Sequence, residues 1–217
     1  MSEQADIIFT DEQQQLLEIA EIFSGNKSPM DAVRRQLEAE CSIAPELWRE
    51  IADLGWLGIA IPEEYGGSGL GLGEVATIVE PMGRNLFSSP LISTTLAAQA
   101  ILRGGGEQQK SQWLPRLAAG TVAALALTEA HGDWDLTNLT CSATRDGDRL
   151  HLSGGKTFVT DAEMADLFLI SVELAGEPHV VLVEPSDFGA NAMHREIVID
   201  ESRRSHALSL DGVSIHL

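Results

Sequence analysis

Apolar residues recur at intervals of three and four through the first half of the chain, the spacing of helices with one buried face. Thr10 and Gln13 form a plausible capping box at the start of the first helix. Ser28 and Pro29 predict a second helix with an N-cap serine and a proline at its first position, and Pro45 begins a third. The apolar positions assigned to the buried faces of these helices are Leu16, Ile19, Ala20, Phe23, Val33, Leu37, Cys41, Leu47, Ile51 and Leu54.

A glycine-rich segment at residues 61–73 interrupts the helical pattern and is predicted to be a loop that connects helices. Its spacing is not that of a Walker phosphate loop. Three further helices follow, and Pro81 is expected to kink or shorten the first of them. The next ends at the glycines of residues 104–106, and the last ends at Gly120. The apolar positions that mark the fourth and fifth helices are Val75, Ile78, Val79, Met82, Leu96, Ala100 and Ile101.

Beyond Gly120 the pattern changes to short apolar runs separated by polar turns, and Asp146 with Gly147 predicts a hairpin. The runs predicted to be strands are residues 149–160, 167–172, 180–183 and 213–217. Because no helical periodicity separates them, the pattern favours an antiparallel barrel or sandwich. We therefore predict an α+β fold with an N-terminal all-α helical domain at residues 1–120, followed by an antiparallel β-barrel or sandwich domain at residues 121–217.

Composition narrows the class of protein. With 44% hydrophobic residues among 217, a packed core is expected. There is no run of about 18 apolar residues, and the polar, acidic N-terminus lacks a secretory signal, so we predict no membrane span. The net charge of −19 argues against a nucleic-acid partner, and an anionic ligand would need local cations or backbone N–H groups. Cys41 and Cys141 have neither disulfide nor metal-ligand spacing, which predicts free thiols, no metal site and a cytoplasmic location.

Four ordered segments carry a resemblance to a known family. They read IPEEYGGSGLG at residues 61–71, GGGEQQKSQWLPRLAAG at 104–120, ALALTEAHGDWD at 124–135 and LSGGKTFVTDAEMADLFLI at 152–170. Any one of them alone is weak, but together they make nearly the whole chain resemble the acyl-CoA dehydrogenase family. The resemblance implies the family's N-terminal helical domain followed by its middle β-domain, which SLDGVSIHL would close.

The same resemblance implies FAD as cofactor and an acyl-CoA thioester as substrate. In the family, a Glu base removes the α-proton of the thioester, and the β-hydrogen passes to flavin N5 as hydride. The residues at the family's cofactor-binding positions are Leu125, Leu127, Thr128, Phe158, Val159 and Thr160. Thr128 would serve the N1/O2 edge, and Thr160 would serve N5 with Val159 as its backbone companion. The two leucines would line the ring, and Phe158 stands where the family commonly has a Trp packed on it.

The residues themselves leave alternatives open. A Thr in a strand is usually only a β-former, and a Phe between β-branched residues usually belongs to the core. We predict Glu129 and Trp134 as substrate contacts, although Glu129 could equally be a solvated loop carboxylate. Trp134 replaces a family Ser that helps to hold the FAD pyrophosphate or the thioester arm, and Asp133 adds negative charge beside it. This change indicates either a pocket remodelled for a bulky substrate, such as a sterol side chain, or a subunit that no longer holds FAD.

The family's catalytic Glu lies in a C-terminal four-helix domain that has no counterpart in these 217 residues, so no catalytic residue is predicted here. We expect the chain alone to be inactive and to work with a partner chain that carries this domain, or within a homo- or hetero-oligomer. The alternative is a non-catalytic structural subunit of a heteromeric acyl-CoA dehydrogenase that does not bind FAD. A third option keeps the fold but acts on nitroalkanes or aromatic substrates.

Overall fold

The first half of the chain is helical, as predicted. The computed structural model describes residues 9–39, 42–133 and 135–216. The helices are α1 (Asp11–Lys27), α2 (Met30–Glu38), α3 (Pro45–Asp53), α4 (Leu72–Arg84), α5 (Leu91–Gly104) and α6 (Glu107–Ala118). None of the helices in these described ranges is long and apolar enough to cross a membrane.

The ends of the first two helices test the capping predictions. At the start of α1, the Thr10 hydroxyl accepts the Gln13 N–H and the Gln13 side chain accepts the Thr10 N–H, so the predicted capping box is confirmed. The predicted start of the second helix is wrong by one residue, because Pro29 is the N-cap of α2. Ser28 instead caps the end of α1, and its hydroxyl donates to the carbonyl oxygen of Asn85 at 2.9 Å.

The helix α4 continues through Pro81 to Arg84, so of the two predicted effects of this proline, a kink or a shortening, the shortening is wrong. Pro81 is buried, and its carbonyl oxygen accepts the side-chain amide of Asn85 just beyond the helix end. The buried stripes are narrower than the apolar pattern indicates. The predicted core positions that are exposed instead are Ile19, Leu37, Leu54, Leu96 and Ala100, and Cys41 lies outside the described residues.

The glycine-rich loop connects helices, as predicted, and is held by its own backbone. The N–H groups of Ser68 and Gly69 donate to the carbonyl oxygens of Gly58 and Ile61 at 2.9 Å each. Gly67 lies so close to these carbonyls that a Cβ atom there would stand 2.0 Å from the oxygen of Ile61. Only glycine fits this approach, and the N–H groups that a phosphate would need are already used.

The second half forms two sheets. Its strands are β1 (Ala123–Ala126), β2 (Ser142–Asp146), β3 (Arg149–Ser153), β4 (Gly155–Thr160), β5 (Leu167–Leu174), β6 (Glu177–Val183), β7 (Met193–Glu196), β8 (Ser205–Ser209) and β9 (Ser214–His216). The larger sheet has the order β1-β5-β2-β3-β9, with β6 also paired to β5, and the smaller has the order β4-β8-β7. The predicted hairpin at Asp146 and Gly147 is confirmed by the antiparallel pairing of β2 with β3.

The fold class is confirmed, but the expectation of purely antiparallel pairing is wrong for the larger sheet. Both β1 and β2 pair with β5 in parallel. A parallel pair needs a crossover between its strands, and here β2, β3 and β4 lie between β1 and β5 in the chain. Leu217, at the end of the last predicted strand, lies outside the described residues.

Three clusters of buried apolar side chains hold these elements together. One lies among the helices, one lies among the strands, and the third contains residues from both halves. The shared cluster joins α5 and α6 to β1 and β5, and includes Ile101, Trp113 and Leu117 together with Ala123 and Leu169. The strand β1 therefore leaves the helical half and enters the sheet inside a continuous core.

Candidate functional site

The end of β1 meets an irregular stretch of β4. The Thr157 N–H donates to the Thr128 carbonyl oxygen at 2.9 Å. Along β4, Lys156 pairs with Leu208 and Val159 pairs with His206, so the register shifts between Lys156 and Val159. Residues 157 and 158 form a bulge there, of the kind that re-aims a side chain.

Phe158 occupies this bulge in a strained, exposed conformation. Its φ is +53°, and 61% of its surface is exposed although Lys156 and Val159 on either side are buried. Its N–H donates to Glu196 at 2.8 Å, and the same carboxylate oxygen accepts the Ser205 hydroxyl at 2.8 Å. A bulky residue at positive φ costs of order 1–3 kcal/mol and persists where surrounding contacts enforce it, often at binding sites.

Beside Phe158 the side chains of Thr128 and Thr160 are partly exposed. Among the described residues, neither the amide nor the hydroxyl of Thr128 has a protein partner, and the Thr160 hydroxyl has none either. Thr128 follows β1 and bonds to Thr157, and Thr160 ends β4, so these three free donors belong to the two segments that meet at the Phe158 bulge.

The remaining predicted cofactor residues have different environments. The Val159 side chain is fully buried in the strand core, so only its backbone could reach a ligand. Leu125 is half-buried and packs against the cluster shared with α5 and α6. Leu127 is half-buried at the end of β1, and its carbonyl oxygen accepts the Ser171 hydroxyl at 3.3 Å.

Glu129 is buried, so its alternative as a solvated loop carboxylate is wrong. One carboxylate oxygen accepts the Lys156 ammonium at 2.7 Å and the Cys141 N–H at 3.1 Å. The other accepts the N–H of Thr140 at 2.8 Å and also its hydroxyl. Burial by itself would raise the pKa of Glu129, but the hydrogen bonds from Lys156, Thr140 and Cys141 outweigh it and lower this pKa to about 2.

Lys156 is buried and is a residue of this site that the sequence reasoning missed. Besides Glu129, its ammonium donates to the Ser171 hydroxyl at 2.9 Å and reaches the Leu127 carbonyl oxygen at 3.5 Å. The signal that could have found it is its position in the strand pattern. Lys156 follows Leu150 and Leu152 at even spacing on the inward side, where an unpaired charge would be costly.

A second ion pair, with a buried carboxylate and a partly exposed guanidinium, follows Thr160. Asp161 has a φ of +62°, and its carboxylate binds the Arg203 guanidinium at 3.0 Å and the Ser93 hydroxyl of α5. Burial raises the pKa of Asp161, and the charge of Arg203 opposes this only in part. Asp161 and Arg203 are 42 positions apart, so no local motif predicts that they pair.

Arg203 also lines a groove of about 250 Å³ between the helical half and the β-half. The groove has an apolar side from α4 and α5 and a polar end at Ser88 and Arg203. Its lining residues include Val79, Met82, Leu86, Phe87 and Ile92. Arg203 thus connects this groove to Asp161, the residue that follows Thr160.

The acidic turn after Glu129 is exposed. Asp133 accepts the backbone N–H of Asp135 at 2.9 Å and the side-chain amide of Asn138 at 2.8 Å. The predicted substrate contact Trp134 lies outside the described residues. The carboxylate of Asp133 thus adds negative charge to an exposed turn.

A sequence model for the N-terminal domain of acyl-CoA dehydrogenases matches residues 10–121, more than half of the chain. The protein belongs to the acyl-CoA dehydrogenase family. Bovine mitochondrial isovaleryl-CoA dehydrogenase is 34% identical over 129 residues, which cover 58% of this chain and 30% of that protein. Acryloyl-CoA reductase of Anaerotignum propionicum is 31% identical over 170 residues, which cover 76% of this chain and 43% of that protein.

Solved structures extend the similarity over the β-half. The steroid acyl-CoA dehydrogenase Tcur3481-Tcur3483 superposes with a TM-score of 0.84 at 31% identity, covering 94% of this chain and 56% of that one. An acyl-CoA dehydrogenase of Bacillus anthracis complexed with FAD superposes with a TM-score of 0.81 at 26% identity. The superposition covers 96% of this chain and 37% of that one. The chain thus spans 30–43% of the curated relatives named above and 37–56% of these two structures.

Proposed function

We propose that these residues form one wall of an FAD-dependent enzyme that introduces a double bond between the α- and β-carbons of an acyl-CoA thioester. The observation that carries the proposal is Phe158, an exposed aromatic ring held on a strained bulge beside the free donors of Thr128 and Thr160. Strained residues of this kind cluster at binding and active sites, where the surrounding structure enforces the conformation.

The residues present fit a flavin. An isoalloxazine ring needs an apolar surface to pack on and hydrogen-bond donors along its polar edge. Phe158 offers the surface, and the Thr128 amide and hydroxyl offer donors that no described residue uses. Bound FAD would supply the two-electron oxidation. Thr128 and Thr160 would bind and orient the ring, and donors at its edge would stabilise the negative charge that it gains on reduction.

Similar proteins support the same chemistry. The Bacillus anthracis structure is complexed with FAD, and bovine isovaleryl-CoA dehydrogenase acts on an acyl-CoA. The groove that begins at Arg203 is largely apolar on the side of α4 and α5 and could take an acyl group. We therefore assign the acyl chain to this groove and the flavin to the surface around Phe158.

The proton-accepting group would come from residues outside this wall. The two carboxylates that flank the bulge already have partners. Glu129 forms an ion pair with Lys156, and Glu196 accepts hydrogen bonds from Phe158 and Ser205. A general base must be able to reach the proton that it removes, and neither carboxylate is free to do so. We place the base in another region of the polypeptide or in a partner chain, as the two-part name Tcur3481-Tcur3483 suggests for its steroid enzyme.

A second candidate is a structural subunit that keeps the fold without binding FAD. Asp133 favours it, because an exposed carboxylate five residues after Thr128 would repel the phosphates of a dinucleotide in a chain whose net charge is already −19.

Flavin binding separates the two candidates. The full-length protein, co-expressed with any partner that carries the four-helix domain, is purified and its absorbance near 450 nm (a general flavin property) is measured. We expect bound FAD, whose affinity falls about tenfold in Phe158→Gly, since the packing surface is lost. The glycine relieves the positive φ, so the variant should remain folded. A colourless preparation that cannot be loaded with FAD would favour the structural subunit.

A further inference from the structure

We infer that the buried Lys156–Glu129 ion pair is a positioning device that holds the Thr128 donors and the Phe158 bulge in one fixed arrangement. This inference rests on the proposed function, since it assigns the pair a role in flavin binding. Neither residue would touch the cofactor. Both lie close in the chain to residues that would contact it. Glu129 directly follows Thr128, and Lys156 lies two positions before Phe158.

The pair joins four segments that are distant in the chain. Lys156 lies on β4, and its ammonium contacts Glu129 after β1 and Ser171 on β5, at 2.7 Å and 2.9 Å. Glu129 in turn binds the backbone at Thr140 and Cys141, where β2 begins. The segment after β1, the start of β2 and the strands β4 and β5 therefore meet at one pair of charges, and Thr128 directly precedes one of the two.

Each oxygen of the Glu129 carboxylate already accepts two hydrogen bonds. One oxygen accepts from Lys156 and Cys141, and the other accepts the N–H and hydroxyl of Thr140. A glutamine at this position would place its NH₂ group against a donor in either orientation. The site thus requires an ionised carboxylate, and that carboxylate requires the lysine.

Stability alone does not account for a pair of this kind. Two charges lose their hydration when they are buried, and replacing such a pair by apolar residues is often neutral for stability. A buried pair does fix geometry, because it tolerates only one arrangement of its partners. Here that arrangement includes the bond from the Thr157 N–H to the Thr128 carbonyl oxygen, which ties Thr128 to the bulge.

The test compares Glu129→Gln, Lys156→Met and the double variant with the unchanged full-length protein and its partner. Single variants leave one buried charge unpaired and are expected to be less stable, so the double variant carries the test. The matched control is Glu107→Gln, which breaks the exposed Lys110–Glu107 pair of α6 at the same kind of contact. Two readouts are taken, amide hydrogen exchange without flavin and the dissociation constant of FAD.

If the pair positions the wall, the double variant loses protection at the amides of Thr140, Cys141 and Thr157 while β5 and β6 stay protected. Its dissociation constant for FAD rises about tenfold or more, as the loss of one or two hydrogen bonds from Thr128 implies. The control variant Glu107→Gln changes neither the protection of these amides nor the dissociation constant for FAD. A double variant that is folded, locally protected and unchanged in FAD affinity would overturn the inference. Failure of the unchanged protein to bind FAD would instead contradict the proposed function, and the exchange result would still decide whether the pair orders these segments.

Discussion

On folding, Glu129 moves from water to a site where its carboxylate accepts hydrogen bonds from Lys156, Thr140 and Cys141. Its pKa falls from 4.5 to about 2. A carboxyl group whose pKa is lower in the folded state adds stability above its unfolded pKa and loses it as the pH falls toward the folded value. The contribution of Glu129 is therefore complete above pH 4.5 and is lost between about pH 4.5 and pH 2.

The predicted consequence is a pH-dependent difference between the unchanged protein and Glu129→Gln. The advantage of the unchanged protein in free energy of unfolding should shrink by up to about 3 kcal/mol between pH 6 and pH 2.5. Urea unfolding at a series of pH values measures it. For Glu107→Gln, whose ion pair is screened by solvent, the difference in free energy of unfolding from the unchanged protein should vary much less with pH. An advantage that stays constant down to pH 2.5 would contradict the hydrogen-bonding scheme of Glu129.

At this scale the sequence reveals only part of the site. Thr128, Phe158 and Thr160 can be named because they stand in ordered motifs of the family. The pairing of Lys156 with Glu129 cannot be read in the same way, since the two residues are 27 positions apart and meet only because the segment after β1 packs against β4. The positive φ of Phe158 is likewise imposed by a bulge, which no local propensity of a phenylalanine indicates.

Among the elements, the hairpin of β5 and β6 has an unusual turn. Leu174 pairs with Glu177, so the loop consists of Ala175 and Gly176, both at positive φ. Two-residue hairpin loops of this kind favour Asn-Gly, because asparagine tolerates the left-handed region better than alanine does.

Ala175→Asn should therefore raise the free energy of unfolding by about 0.5 kcal/mol or more. The measurement is the midpoint of denaturant unfolding at an unchanged m-value. Ala175→Val is the opposing variant and should lower the midpoint, since a β-branched side chain is strained at positive φ. Equal midpoints for the two variants would mean that the turn has another conformation in solution.

The pairing of β1 shows why some elements escape a sequence pattern. Its four residues read Ala-Ala-Leu-Ala, which lacks both the alternation and the β-branched residues that indicate a strand. It is a strand because α5 packs on one side of it and β5 supplies its hydrogen bonds. The strands β2 and β3 could be predicted because their turn is local, whereas the parallel partners of β5 are set by contacts distant in the chain.

Across the whole molecule, the cluster shared by α5, α6, β1 and β5 makes the two halves depend on each other. We predict one cooperative unfolding transition, in which the calorimetric and van't Hoff enthalpies agree. Leu169→Ala, in the shared cluster, should lower the stability of the whole chain by about 3 kcal/mol without splitting the transition. Val180→Ala, at an exposed position of β6, should change it by less than about 0.5 kcal/mol. Two separate transitions would show that the halves unfold independently.

The parallel pairing of β1 with β5 also sets a delay during synthesis. The ribosome delivers the helices and β1 first, but β5 begins at Leu167, about 40 residues after β1 ends at Ala126. At typical translation speeds this takes roughly two to eight seconds. Throughout that interval the nascent chain carries an unpaired apolar strand and an open face of α5 and α6. Slow codons in this stretch would lengthen the exposure, and a chaperone that binds short apolar segments would find its substrate here.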